Sequence, residues 1–278
     1  MHKLVCAAIV LLAGASVALA QNANQPSPKA KSQKGKIVST VPPDAVKSLA
    51  PTGKLRVAIN LGNMVLAQGT PDAPAGVTPE LAKELAKRLG VPFELTTFDG
   101  AGKAFEAAKA GKVDIVFLAI EPVRAAEIAF TAPYVLIEGV YMVPKDSKLK
   151  TVADVDREGV RIGVNKASAY DLFLSRSLKK ATLVRGESGV DIFIKDKLEA
   201  AGGVKQPLVA YAKTNPNVKI MDGRFMEIQQ AMGTPQGRDP AGTKYLHAFV
   251  EEMKKSGFVA DALKRSNQPD AAVAPPAK

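Results

Sequence analysis

The apolar residues between positions 53 and 118 change period several times, and each change marks an element. Leu55 to Ile59 is a β-rich run. Leu81, Leu85 and Leu89 then recur every four residues, with Thr78 as an N-cap candidate, Pro79 at the first helical position and Gly90 as a stop. Phe93 to Phe98 predicts a second strand, Ala104 to Ala110 a helix closed by Gly111, and Val113 to Leu118, apolar but for Asp114, a strand buried on both faces. The cycle restarts after Ile137, with strands at Gly139 to Val143, Arg161 to Val164 and Thr182 to Val184. A short turn at Val152 to Val155 and a helix at Ala169 to Leu178 separate them, and a late helix spans Ala241 to Ser256. Strand and helix alternating in this way predict parallel, doubly wound α/β sheets, whose ligands bind beyond the carboxyl ends of the strands. Two such lobes in one chain predict a cleft, where small molecules are most often held.

The ends have a different pattern. Residues 1–20 read as a secretory signal, with Lys3 ahead of the apolar run Leu4 to Ala13 and a small-x-small cleavage site at Ala18-Leu19-Ala20. Residues 21–52, rich in Asn, Pro, Ser and Lys, predict a flexible leader, and residues 267–278, with Pro269, Pro275 and Pro276, an unstructured tail. The 278 residues include 46% hydrophobic and 23% charged positions, an ordinary globular balance. Cys6 and His2 fall in the signal, so His247 is the only imidazole beyond it, and this excludes structural zinc, a thiol nucleophile and His-rich metal sites. No cofactor is expected. The formal net charge of +11 resides partly in the leader and in solvated faces such as Lys179-Lys180 and Lys254-Lys255. With no recognition motif and few aromatics on basic surface, nucleic acid is not an expected partner.

A set of short pieces, in order, carries a resemblance: Gly53-Lys54-Leu55-Arg56-Val57, Gly76-Val77-Thr78-Pro79-Glu80-Leu81-Ala82, Ala110-Gly111-Lys112-Val113-Asp114, Arg124 followed by Phe130-Thr131-Ala132-Pro133-Tyr134, and Gly163-Val164 ahead of Ser168. Together they resemble the extracellular solute-binding proteins of family 3, the amino-acid receptors of ABC importers. The resemblance spans nearly all of Gly53 to Ser266. It implies a two-lobed periplasmic-binding-protein fold, each lobe a mostly parallel sheet flanked by helices, with the ligand cleft at a two-strand hinge. Lobe 1 would comprise residues 53–137 and 231–266 and lobe 2 residues 138–230, the chain crossing near Ile137 to Gly139 and returning near Gln229 to Met232. The implied function is capture of an amino acid or related carboxylate by hinge closure, for delivery to a separate membrane permease. A monomer is the simplest state for such a receptor.

The resemblance also places the candidate site. Arg124 occupies the position of an arginine that grips the substrate carboxylate; its planar fork of donors matches two carboxylate oxygens. Glu121, just before Pro122, either caps the following helix or faces the cleft. Ala119 stands where a small hydroxyl residue is common, and Asn63 where an aromatic often stacks, so Asn60 and Asn63 offer amide groups instead of an apolar lid. Ser168 matches a hydroxyl that helps hold the carboxylate, at a strand-to-helix junction that favours an anion, and it also reads as a simple N-cap. Two registers place the acid that captures an α-amino group. A strand at Val190 to Ile194 puts Asp196 there. A helix at Gly189 to Lys197 followed by a strand at Leu198 to Gly202 puts Val204 there, beside Lys205 and Gln206, with Glu199 as the acid at the strand's start. The need for a crossover between parallel strands favours the second. A pocket with Arg124 and Lys205 and no opposing acid favours an anion over a zwitterion. Two alternatives stand beside the receptor: an exported enzyme similar to cyclohexadienyl dehydratases, with Glu121 as its only acid candidate, and a noncatalytic accessory or sensor protein.

Overall fold

The computed structural model describes residues 41–278; the signal at 1–20 and the leader up to position 40 lie outside them. In chain order the elements are α1 (Pro43–Leu49), β1 (Leu55–Asn60), β2 (Gln68–Thr70), β3 (Ala73–Ala75), α2 (Val77–Leu89), β4 (Phe93–Phe98), α3 (Ala101–Lys109), β5 (Ile115–Ala119), α4 (Pro122–Ala125) and β6 (Ile128–Pro144). A 3-10 turn at Val152–Val155 leads to β7 (Arg161–Asn165), α5 (Ala169–Ser177), β8 (Thr182–Gly186), α6 (Gly189–Lys195), β9 (Ala200–Val204), α7 (Lys205–Thr214), β10 (Val218–Ile220), β11 (Met226–Pro235), α8 (Pro240–Lys255), α9 (Phe258–Arg265) and β12 (Ala272–Val273). Among the described residues no helix is long and apolar enough to cross a membrane.

One mixed sheet runs through the molecule in the order β4-β1-β5-β11-β6-β9-β7-β8. The trio β4, β1 and β5 is parallel, and so is the trio β9, β7 and β8. Between them β11 and β6 run antiparallel to their neighbours. Each parallel trio is the expected α/β unit, and the two central strands join them. β6 is one strand of 17 residues, longer than the expected Gly139 to Val143. Its first part pairs with β11 and its last part with β9 and β10, so the chain passes from one half to the other without leaving the ladder. Pro133 is tolerated because it falls opposite Ala231, where the register slips. β11 meets Gly139 at Met226 and joins β5 from Gln230 onward.

Several local expectations change. Gly76, with φ of 107°, is the N-cap of α2 and Thr78 lies inside it, its hydroxyl directed at the Leu66 carbonyl. The backbone there passes too close to Leu66 for any side chain, so the cap position goes to glycine. The leader is not flexible throughout: α1 packs Ala45 and Leu49 under α8, where Gly242 leaves room for Ser48. Nor is the tail unstructured. Ala272 and Val273 pair with β6, Ala274 donates its N–H to the Tyr134 carbonyl at 3.0 Å, and Lys254 reaches the carbonyls of Pro133 and Pro275. The prolines at 275 and 276 follow the paired residues, so no ladder donor is lost.

The crossover reading of residues 189–204 is the one adopted. Val190 to Ile194 lies in α6, the chain returns as β9, and Asp196 ends up exposed beyond the helix. α6 sits directly on β7: its first residue, Gly189, donates to Asn165 Oδ1 at 2.8 Å, and a methyl there would lie 2.8 Å from Val164 Cα. Gly189→Ala therefore has to lift the helix from the sheet. The expected cost is about 1 to 3 kcal/mol in urea unfolding, and an unchanged midpoint would show that the packing yields freely.

Candidate functional site

The carboxyl ends of the parallel strands β1, β5, β7 and β9 carry Asn60 and Asn63, Ala119 and Arg124, Ser168, and Lys205 and Gln206 in turn, on the strand ends or on the segments that follow them. The loop after β5 is the most deeply built. Continuous apolar residues bury all of β5, Pro122 then starts α4, and Arg124 is carried inward until only 1% of it is exposed. Its Nη1 donates to the Ala119 carbonyl at 3.2 Å and its Nη2 to the Ala167 carbonyl at 2.9 Å. Ala119 belongs to the first trio of strands and Ala167 to the loop after β7 in the second. Burial pulls the Arg124 guanidinium down to about 10, against a smaller opposing pull from Glu121.

Ala167 is held for this contact. Its φ of 57° is left-handed, unusual for a residue with a Cβ, and its N–H donates to Asp171 Oδ2 at 2.8 Å. Asp171 is itself buried and accepts from Arg185 Nε at 2.8 Å. Ser168 Oγ accepts the Asp171 N–H at 3.1 Å and caps α5.

Glu121 occupies the N-cap position of α4, yet its side chain makes no capping bond. It is 2% exposed and pairs with Arg176 of α5, which belongs to the other trio. Arg176 lies over the Phe173 ring, 5.1 Å from its centre. The first and second halves also approach at Gly102, where a methyl would stand 2.7 Å from Ala167 Cβ, and at Lys103, 3.8 Å from Glu187.

The remaining expected residues divide. Asn60 Oδ1 accepts the Gly62 N–H at 3.0 Å, which makes it a turn former. Asn63 Oδ1, on the loop after β1, and Gln206 Oε1, in the first turn of α7, are buried without a hydrogen-bond partner. β9 ends at Val204, with no acid at that position. Lys205 adds no free charge: it pairs with Glu138 at 2.5 Å, and Arg224 shares the same carboxylate. Glu199 stays at the opposite end of β9, bound to the backbone and guanidinium of Arg161. His247 is exposed on α8. Sequence reasoning passed over Arg176, Ala167 and Asp171: the bonds from Asp171 to Ala167 and Ser168 are local, but the contacts of Arg176 with Glu121 and of Ala167 with Arg124 join residues 55 and 43 positions apart, which no local spacing announces.

The family model for bacterial extracellular solute-binding proteins, family 3, matches residues 55–266. The chain belongs to this family. Among solved structures, the solute receptor for L-cysteine of Neisseria gonorrhoeae is 23% identical, with a TM-score of 0.69 over 81% of this chain and 94% of that one. A variant of the arginine-binding protein ArgBP from T. maritima is 22% identical, with a TM-score of 0.67 over 80% and 99%. An ancestral amino-acid-binding protein described as a precursor of cyclohexadienyl dehydratase is 24% identical, with a TM-score of 0.65 over 79% and 98%. At these identities the likeness is one of fold, the two-lobed Venus-flytrap. A membrane-bound lytic murein transglycosylase F of Vibrio cholerae is 35% identical over 79 residues, 28% of this chain. The chain spans about 15% of the length of that curated relative.

Proposed function

We propose that this family-3 protein is the receptor of an ABC importer, exported by cleavage after Ala20, working as a periplasmic monomer and handing its solute to a membrane permease. The observation that carries the reading is Arg124, a cation buried at the carboxyl ends of the strands and facing the second half of the molecule. A guanidinium is removed from water at high cost, and a solute carboxylate offers the return through a charge-assisted pair. The structural neighbours include proteins described as bound to arginine or lysine, both of which carry an α-carboxylate. Val204, where an amine-capturing acid would stand, favours an acid without an ammonium group over an ordinary amino acid. Asn63 and Gln206 supply neutral acceptor oxygens on the same side of the sheet.

The test is a thermal shift of the protein against amino acids, dicarboxylates and aromatic acids. A solute at a hundred times its Kd adds about 2.7 kcal/mol, roughly 5 to 10 °C for a chain of this size. A shift with an amine-free acid is the expected result, and a shift with ordinary amino acids alone would reject the anion preference. One observation favours a second reading, a noncatalytic accessory or sensor module: Arg124 and Glu121 already have partners across the cleft. Silence across the whole panel would select it. No enzymatic step is proposed, since Glu121, the acid candidate, is engaged by Arg176.

A further inference from the structure

We propose that Glu121 is a built-in stand-in for a solute carboxylate, bridging the two halves through Arg176 so that the cleft shuts while empty. This inference rests on the same cleft as the receptor reading. Its test needs no solute.

Three observations converge. Glu121 is buried on the loop that positions Arg124, at a cap position its side chain leaves unused, and its carboxylate reaches a guanidinium on the opposite half. Next to it, Arg124 spends an N–H on the Ala167 carbonyl, also of the opposite half. That carbonyl is presented by a left-handed alanine fixed through Asp171 and Arg185, so the acceptor is prepared in advance of any solute. A protein oxygen therefore fills a donor position on each of the two arginines facing the gap.

Charge explains why the acid is needed. Without Glu121, the buried Arg124 would approach Arg176 of the other half with no anion between them, and like charges oppose closure in a poorly solvated gap. With it, the group carries one net positive charge and closes without help. A solute carboxylate would bring the group to neutrality, so it adds to a closed state that already exists. The exposure of the partners fits this device: Arg176 keeps 46% of its side chain in solvent, whereas Glu121 is buried. Solute entry then requires the pair to part, and the apparent affinity falls with the fraction of molecules that are closed and empty.

The experiment measures the distance between spin labels in the full chain without solute. One label is placed on α2 at Lys83→Cys and one on α7 at Lys213→Cys, both exposed positions, with Cys6→Ser in the background. The unaltered cleft should give one short distance. Glu121→Gln and Arg176→Ala should each move most of the population to a distance longer by several ångströms, and Arg176→Lys, which keeps the charge, should restore the short one. Arg176 is half-exposed, so Arg176→Ala stays informative if Glu121→Gln fails to fold. A cleft already open in the parent protein, or an unchanged distance in both variants, overturns the proposal. A closed parent and open variants, with no solute found in the thermal panel, would leave the latch standing and remove the receptor reading.

Discussion

Arg124→Met should abolish any acid-induced thermal shift and leave the empty protein slightly more stable than the parent. Both effects come from the same buried charge. Burial lowers the guanidinium from its ordinary range to about 10, so the folded state disfavours the cation by an amount on the order of 3 kcal/mol. Against this stand the hydrogen bonds to the carbonyls of Ala119 and Ala167, whose loss costs about 1 kcal/mol each. The balance favours methionine by about 1 kcal/mol, a rise of a few degrees in melting temperature. Methionine also retains much of the stem volume, so no large cavity opens. The pH dependence has a defined sign. Above about 10 the folded chain releases a proton that the unfolded chain still holds, so the parent gains stability as pH rises past that value, and Arg124→Met removes this gain. Melting curves across an acid panel and across alkaline pH check all three points. A fall of several degrees in the empty variant, or an acid shift that survives in it, would reject this account of Arg124.

Asp114→Asn is expected to be the most destabilising single substitution, at about 3 to 5 kcal/mol or roughly 10 °C. Asp114 is fully buried just ahead of β5. It accepts from the backbone N–H of Arg56 at 3.0 Å, from Arg56 Nε at 2.9 Å and Nη2 at 2.8 Å, and from Arg238 Nη2 at 2.7 Å. Arg238 continues to the Ser48 carbonyl at 2.8 Å, so one carboxylate ties β1, β5, α1 and the approach to α8 together. Asparagine keeps the shape and leaves two guanidinium groups without their anion. Burial pushes the Asp114 carboxyl up, but the bonds from Arg56 and Arg238 outweigh it and hold it below its usual range. Its contribution is therefore complete above the ordinary aspartate pKa near 3.9 and is lost as pH falls through the lower folded value. The second half supplies a control. Glu199 receives the backbone N–H and guanidinium of Arg161 in the same manner, but its side chain is 37% and that of Arg161 43% exposed. Solvent screens that pair, so Glu199→Gln should cost less than about 1 kcal/mol. Equal urea midpoints for the two variants would defeat the argument from burial.

These two staples show how legible the chain was. Each is an acid at the start of a strand beside an arginine at the start of its neighbour, and each strand was visible as an apolar run. The same holds for α2, whose leucine spacing requires one buried face, and for β5, whose unbroken apolar residues require two. Residues 189–204 were decidable for a different reason: a parallel neighbour needs a crossover, and only α6 provides one. The short pairings failed. α1 and β12 hold on through α8 and β6, partners remote in sequence, and two or seven residues carry too little periodicity to announce them.

The sequence alone determined the two α/β units, the family, and the arginine at the end of β5, because strand and helix periods, glycine stops and a residue type suited to carboxylates are local properties. Tertiary structure decided what those groups face. It turned Glu121 from a cap into a bridge, matched Lys205 with Glu138, and gave Arg124 a carbonyl from a left-handed alanine in the other half. Burial and charge pairing depend on which surfaces meet, and here the surfaces that meet lie on opposite sides of two long crossing strands.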